Sequence, residues 1–146
     1  MLKDNNRINV IKLGEDENNC INLRNAISAL TDLDQLLISL KITANNLGYK
    51  YIKDAVQTSL VLMKNNQRIY ITKDIYPSVA RTYYTTPSRV ERAIRHSINK
   101  SFAMMHESYS DLFGGIPSNS EFIYTLCSLL ASHTEKDNSI DAVYKV

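Results

Sequence analysis

The sequence lacks the features that most often mark a membrane, secreted or metal-binding protein. No stretch approaches the roughly 18 to 20 apolar residues that a membrane span needs, and the first residues, MLKDNNRINV, lack the apolar core of a signal peptide. The two cysteines, Cys20 and Cys127, lie far apart with no CxxC, so no disulfide framework is indicated. The histidines, His96, His106 and His133, form no metal-ligand spacing. We therefore expect a cytoplasmic protein with no metal, no cofactor and no membrane partner.

Signatures of catalysis are also missing from the sequence. It has no paired carboxylates at a useful spacing, no nucleophile elbow and no glycine-rich phosphate loop. We therefore expect no catalytic residues and a protein that is not an enzyme. At 146 residues, of which 44% are hydrophobic, the chain is long enough for one domain with a core and too short for two ordinary domains.

Positive charge is present, and it is concentrated in the middle of the chain. From Lys64 to Lys100 there are eight basic and two acidic residues, a net charge of +6, whereas the whole chain carries +2 and the remainder therefore −4. A surface that faces DNA phosphates needs such an asymmetry, although a run of charge on a helix is more often only a solvated face. The charge distribution alone leaves both interpretations open.

Helical periodicity dominates the sequence from residue 31 onward. The predicted helices run from Thr31 to a stop at Gly48, from Tyr49 to about Met63, from Ile71 or Pro77 to about Tyr83, from Pro87 onward, from Ser108 to Phe113, and from a cap at residues 118–121 onward with Phe122, Leu126, Leu129 and Leu130 facing inward. Strand-like alternation is absent from this part of the sequence, so the expected fold is an all-α compact bundle of about six helices.

Three regions are expected along the chain. Residues 1–30 combine a strand-like run at 7–13 with a short helix at 22–30 and are interpreted as an N-terminal arm or linker. Residues 31–132 form the helical domain. Residues 133–146 form a polar C-terminal tail.

The fourth helix, which begins at Pro87, is the most informative. Thr86 is suited to cap it, and proline fits the first helical position because its φ is already helical and its missing N–H costs nothing there. At about 100° per residue, small and apolar residues collect on one side: Val90, Ile94, Ser97, Ile98, Ser101 and Phe102. The opposite side collects Ser88, Glu91, Arg92, Arg95 and Asn99, with Arg89 at its flank. One face is expected to pack and the other to present arginines.

The helix before Pro87 completes a helix-turn-helix pattern. Ala80 is small enough to let two helices cross closely, and Tyr83 is placed to fill the corner before the turn. In this motif the second helix lies in the major groove with its N-terminal residues at the base edges. Arginine suits guanine because its fork matches O6 and N7, and a carboxylate such as Glu91 accepts from cytosine N4. The spacing predicts recognition of G·C pairs, but a helix with merely solvated arginines stays open as an alternative.

The run TTPSRVERAIRH at residues 85–96 resembles the signature of a known family, the effector domain of the sporulation master response regulator, stage-zero sporulation protein A. Further matches lie on both sides: GYKYIKDA at 48–55, ITKDIYP at 71–77, LFG at 112–114 and PSNSEF at 117–122. The resemblance covers about residues 33 to 131. Because these motifs are long and occur in the same order, they are unlikely to match by chance.

The resemblance implies a six-helix effector domain that binds duplex DNA at short boxes resembling TGTCGAA, and so makes residues 31–132 a DNA-binding domain. Carried over position by position, it implies base contacts by Arg89, Glu91, Arg92 and Arg95. It places Ser88, His96 and Lys100 near the DNA backbone, and we add Lys73 and Thr86 to that group. The function this implies is a sequence-specific transcriptional regulator.

Two departures from the family pattern limit what the resemblance implies. The residues before it are too few to build the receiver domain of the full-length family member, so we expect no phosphorylation in cis. Between Gly115 and Pro117 the family carries a longer, lysine-containing loop, and activation of RNA polymerase therefore need not carry over.

A protein-interaction module is the alternative function. Such a module would antagonise a full-length relative or RNA polymerase without productive DNA binding. It would have little reason to retain all four residues of the base-contacting group, and DNA binding is therefore favoured. RNA polymerase stays a candidate partner, as does a second copy of the chain bound to tandem or palindromic boxes.

Overall fold

The computed structural model describes the backbone of residues 32–144 and the side chains of residues 32–132. The strand-like run and the short helix expected within residues 1–30 lie outside the described residues. The described elements are α1 (32–39), α2 (Leu47–Lys64), a π-helical turn (Ile71–Ile75), α3 (Tyr76–Thr82), α4 (Pro87–Met104), α5 (His106–Phe113) and α6 (Asn119–Tyr144). Between residues 32 and 144 there is no strand, and the predicted all-α bundle of about six helices is confirmed.

The first helix ends earlier than the sequence predicts. Helix α1 stops at residue 39, and Lys41 follows with a φ of 60° in the left-handed region. The N–H of Ile42 then bonds to the Leu37 carbonyl at 2.9 Å and closes the turn. The predicted stop at Gly48 is therefore wrong, because Gly48 lies in the first turn of α2.

Gly48 is needed for the packing of α2 against α4. It is buried, and a Cβ at this position would meet the Ser97 hydroxyl and lie 2.6 Å from the Ala93 carbonyl oxygen. A neighbour closer than 3 Å to a Cβ has to move, and this is costly when the neighbour is a backbone atom such as the Ala93 carbonyl oxygen. The glycine therefore permits a close crossing of two helices, which is why it occurs inside a helix instead of after one.

A buried hydrogen-bond network joins α4 to its neighbours. The Ser101 hydroxyl donates to the carbonyl of Leu40, and the Tyr109 hydroxyl donates to Ser101 at 2.6 Å. All three side chains are almost completely buried, so the polar groups of Ser101 and Tyr109 are satisfied inside the core. Burial also raises the pKa of Tyr109. The C-terminal half of α4 is thereby connected to the end of α1 and to α5.

The start of α6 is set by the cap that the sequence predicts. The Glu121 N–H bonds to the Ser118 hydroxyl at 3.1 Å, and the Ser118 N–H bonds to the Glu121 carboxylate at 3.0 Å, which is a capping box. Phe122, Leu126 and Leu130 are buried as expected, with relative exposures of 0, 0 and 7%. Leu129 was expected to face inward, but it is 37% exposed.

The buried face of α6 is rotated away from Leu129. Ile123 and Cys127 are both fully buried, and they move the centre of the apolar face to the other side of Phe122. The helix continues to Tyr144, through residues that the sequence analysis assigned to a polar tail.

Candidate nucleic-acid interface

Helices α3 and α4 form a helix-turn-helix joined by residues 83–86. Val79 and Ala80 of α3 are buried at 0 and 3% exposure, as the close crossing of the two helices requires. The ring of Tyr83 packs edge-to-face against the ring of Tyr51, with the ring centroids 5.3 Å apart, and Tyr83 is 37% exposed. The predicted corner residue therefore packs on α2 but is only partly covered.

Helix α4 begins as the sequence predicts. Pro87 occupies its first turn, and the Thr86 hydroxyl accepts a hydrogen bond from the Arg89 N–H at 3.3 Å. The Thr86 side chain thus satisfies one of the N–H groups that a helix start leaves without a partner. The same bond gives Thr86 a structural role in addition to any contact with DNA.

The two faces of α4 are those predicted from the sequence. Val90, Ile94 and Ile98 have no exposed surface, and Ser97 and Ser101 are buried with them. The opposite side, called the arginine face here, carries Arg89, Glu91, Arg92 and Arg95. The first three are exposed, and Arg95 is half-buried. Because the apolar side of α4 is buried in the core, the helix presents its arginines in a fixed direction.

Three of the four residues on the arginine face are free to bind a ligand. Arg89, Glu91 and Arg92 are exposed, and in the described part of the chain their side chains make no hydrogen bond or ion pair. Arg95 differs, because it is half-buried and its guanidinium donates two hydrogen bonds within the domain. The sequence predicted one role for all four residues, whereas their surroundings are of two kinds.

A groove of about 660 Å³ runs beside the arginine face. On the α4 side it is lined by Ser88, Glu91, Arg92, Arg95, His96 and Asn99. The other wall comes from the π-helical turn, from the start of α3 and from the start of α6: Thr72, Tyr76, Ser118, Asn119 and Ser120. The structure thereby brings most of the predicted base-contacting and backbone-contacting residues of α4 to one groove.

The remaining predicted backbone residues lie outside this groove. Lys73 is exposed on the π-helical turn, with its ammonium 5.8 Å from the centre of the Tyr70 ring. Lys100 is exposed near the C-terminal end of α4, and Thr86 lies just before its first turn. Along α4 the predicted backbone contacts are therefore spread from one end of the helix to the other.

The second wall of the groove was not predicted from the sequence as part of the site. Its polar centre is Asn119, whose Nδ2 donates to the Tyr76 hydroxyl at 3.1 Å and to the Glu91 backbone carbonyl at 3.0 Å. Burial raises the pKa of Tyr76; the bond from Asn119 and the charge of Arg95 oppose this effect, and the charge of Glu91 adds to it. Residues 118–121 carried a capping signature in the sequence, but nothing there indicated which helix they would meet.

The geometry agrees with the result of a comparison with known families. Residues 33–130, more than half of the chain, match the family described as Sporulation initiation factor Spo0A C terminal. The chain belongs to this family. The family is one of DNA-binding effector domains of sporulation regulators, and it is not an enzyme family. The resemblance drawn from the sequence motifs is thereby confirmed. Among the described residues, none of the helices has the length and apolar character that crossing a membrane requires.

Proposed function

We propose that this protein is a transcriptional regulator that binds specific sites in duplex DNA, with α4 as the recognition helix in the major groove. One observation carries the proposal: α4 buries its apolar face completely, while Arg89 and Arg92, which have no partner among the described side chains, project from the opposite face near its N-terminus. A recognition helix needs this combination, because its fixed orientation aims side chains at base edges. The membership of the family supports it.

Base recognition is assigned to the free residues of the arginine face. Arg89 and Arg92 each have a guanidinium that fits O6 and N7 of guanine, and Glu91 can accept from the amino group of cytosine. G·C pairs within boxes that resemble TGTCGAA are the proposed target. Arg95 belongs to the same sequence-based prediction, but its hydrogen bonds within the domain favour a different role, argued below.

Contacts to the DNA backbone are assigned to a second group: Lys73, Thr86, Ser88, His96 and Lys100. All five are exposed. The lysines supply charge and the hydroxyl and imidazole groups supply hydrogen bonds to phosphate oxygens, which orient the protein on DNA without distinguishing bases. RNA polymerase as a partner, a homodimer on tandem or palindromic boxes, and a cytoplasmic location stay predictions.

The proposal is tested by selecting bound duplexes from a random pool and then titrating single-base-pair variants of the recovered site. Wild-type protein is expected to recover a G/C-containing consensus. Arg92→Ala should weaken binding to that site by about 1 to 3 kcal/mol and lose discrimination at one G·C pair. Recovery of no consensus from a folded protein would overturn the proposal and favour the interaction module.

A variant outside the arginine face provides the matched control. Arg81→Ala also removes an exposed arginine from the helix-turn-helix, but it lies on α3 and outside the predicted DNA contacts. It is expected to leave base-pair discrimination unchanged. Circular dichroism and thermal unfolding establish that both variants are folded. Equal loss of affinity for Arg92→Ala on every duplex would show that Arg92 contacts phosphate and that specificity arises elsewhere.

A further inference from the structure

Within residues 32–132, Arg95 is the one member of the arginine face whose guanidinium donates hydrogen bonds to the protein. Its Nε donates to Oδ1 of Asn99 at 3.2 Å, and its Nη2 donates to the carbonyl of Pro117 at 2.9 Å. Nε and Nη2 form the side edge of the guanidinium, so a bidentate contact with guanine through that edge requires both bonds to break. Pro117 is buried and its bond to Arg95 is partly shielded from water. Contacting a base by this edge would leave the Pro117 carbonyl without its donor.

Asn119 makes a second connection between the same two elements. It is the first residue of α6, and its Nδ2 bonds to the backbone carbonyl of Glu91 and to the hydroxyl of Tyr76. Asn119 is 8% exposed and Tyr76 is 3% exposed, so the bond between them is shielded from water, and the bond to Glu91 is partly shielded. Glu91 and Arg95 lie one helical turn apart. The start of α6 is therefore attached to α4 at two successive turns.

We infer that Arg95 and Asn119 are positioning residues, which dock the start of α6 against α4 and so set the angle at which Arg89, Glu91 and Arg92 meet the bases. On this inference Arg95 itself contacts no base in the specific complex. The inference rests on the proposed function, since it assigns a role in base recognition by α4.

The physical reason is the precision that base recognition demands. A binding constellation works only when its side chains are held within about 0.5 Å and 10–20° of the productive geometry. Val90 and Ile94 fix helix α4 on its apolar side, and contacts at its flanks add resistance to small rotations about the helix axis. The bonds from Arg95 and Asn119 lie at that flank, beside the residues that meet DNA.

The experiment compares three variants with wild type on the recovered duplex, on all its single-base-pair variants and on one unrelated duplex at fixed salt. Arg95→Ala and Asn119→Ala remove the two connections separately. Arg95→Lys is the conservative variant, because an ammonium group can still donate to the Pro117 carbonyl but cannot form a bidentate contact with guanine. Hydrogen exchange at the Phe122 amide, which bonds to the Ser118 carbonyl at 2.9 Å, reports the docking of α6 without DNA.

The expected result is the same pattern for both alanine variants. Each should weaken binding to the recovered duplex by about tenfold and flatten discrimination at several base pairs, while affinity for the unrelated duplex stays within about twofold. Exchange at the Phe122 amide should accelerate. Arg95→Lys should stay within about threefold of wild type on every duplex. The double alanine variant should lose less than the product of the two single losses, because both bonds serve the same docking.

Arg92→Ala separates failure of the inference from failure of the proposed function. If Arg95→Ala loses discrimination at one base pair only, as Arg92→Ala is expected to do, and Asn119→Ala matches wild type, then Arg95 contacts a base and the inference is wrong while the function stands. Wild-type affinity for every duplex in Arg95→Ala would also overturn it. A wild-type protein that fails to discriminate between duplexes would overturn both.

A milder variant covers the case in which Asn119→Ala does not fold. Tyr76→Phe keeps the buried ring and removes only the hydroxyl that accepts from Asn119. It should flatten discrimination in the same direction as Arg95→Ala, by a smaller factor, because Asn119 retains its bond to Glu91. Unchanged discrimination in Tyr76→Phe together with unchanged exchange at Phe122 would count against the inference.

Discussion

Tyr84 lies in the turn of the helix-turn-helix with a φ of 53°, and 97% of the residue is exposed. A left-handed backbone costs a residue with a Cβ about 1–2 kcal/mol, and glycine avoids this cost. Because the ring is almost entirely in solvent, packing within this domain does not offset the strain. The turn geometry that aligns α3 and α4 is therefore imposed on Tyr84 by the elements around it.

Replacing Tyr84 by glycine should stabilise the domain. Relief of the left-handed conformation outweighs the greater freedom of glycine in the unfolded chain, and the expected net gain is about 0.5 kcal/mol in the free energy of unfolding by urea. Tyr83→Gly is the control: its φ is −105° and its ring contacts Tyr51, so that variant should destabilise the domain. A loss of stability in Tyr84→Gly would show that its ring contributes a contact.

At the scale of elements, α2 and α4 cross closely at Gly48. Gly48→Ala should destabilise the domain by about 1–3 kcal/mol, because the added methyl group meets the backbone carbonyl of Ala93 as well as the Ser97 hydroxyl. Thermal unfolding measures the loss. Adding Ser97→Ala should recover only part of it, since Ala93 still obstructs the methyl group. A normal unfolding midpoint in Gly48→Ala would mean that the two helices separate without cost.

Helices α1 and α2 are joined by a polar contact that makes stability depend on pH. The Tyr49 hydroxyl donates to Asp34 at 2.6 Å, and Lys53 forms an ion pair with the same carboxylate oxygen at 2.9 Å. The hydrogen bond to Asp34, then partial burial and the carboxylate charge, raise the pKa of Tyr49 from 10.0 to about 12. Burial opposes ionisation of Asp34, but the bonds from Tyr49 and Lys53 outweigh it and lower the pKa of that carboxyl.

The raised pKa of Tyr49 predicts a loss of stability at alkaline pH. Because its pKa in the folded state exceeds the unfolded value of about 10, the contribution is complete below pH 10 and is lost as the pH rises to about 12. Urea unfolding across this range should show a steeper decline for wild type than for Tyr49→Phe, which lacks the titrating group. Parallel curves would indicate that the hydrogen bond does not persist in solution.

At the scale of the whole molecule, charge asymmetry should govern the affinity for DNA. The segment from Lys64 to Lys100 carries a net charge of +6, whereas the rest of the chain carries −4. Each neutralised phosphate adds about −0.9 to the slope of log affinity against log salt. Lys100→Ala should weaken specific and unrelated duplexes alike and reduce the slope by about one such unit. Lys64→Ala removes an equal charge outside the predicted contacts and should change the slope less. Affinity that is independent of salt would contradict the electrostatic role.

The sequence alone determined the ends and the faces of several helices, because these features depend on residues within the same helix. The start of α4 at Pro87, its two faces and the cap of α6 follow from residues within one or two turns of each other, and the motifs that identify the family are contiguous. Helix periodicity also indicates which face of α4 is buried, since Val90 and Ile94 repeat at its spacing. The polar face of the site was predictable for the same reason.

Tertiary structure decided what separate elements do to one another. Sequence spacing does not reveal that α4 packs directly against Gly48 or that Arg95 bonds to Pro117. It also does not reveal that α6 buries Ile123 and Cys127 and leaves Leu129 partly exposed. The bond between Arg95 and Pro117 joins residues 22 positions apart and depends on how α6 docks against α4. A face assigned by periodicity states only the direction in which a side chain points. Whether that side chain stays free for DNA or is engaged by the protein depends on the helix packed beside it.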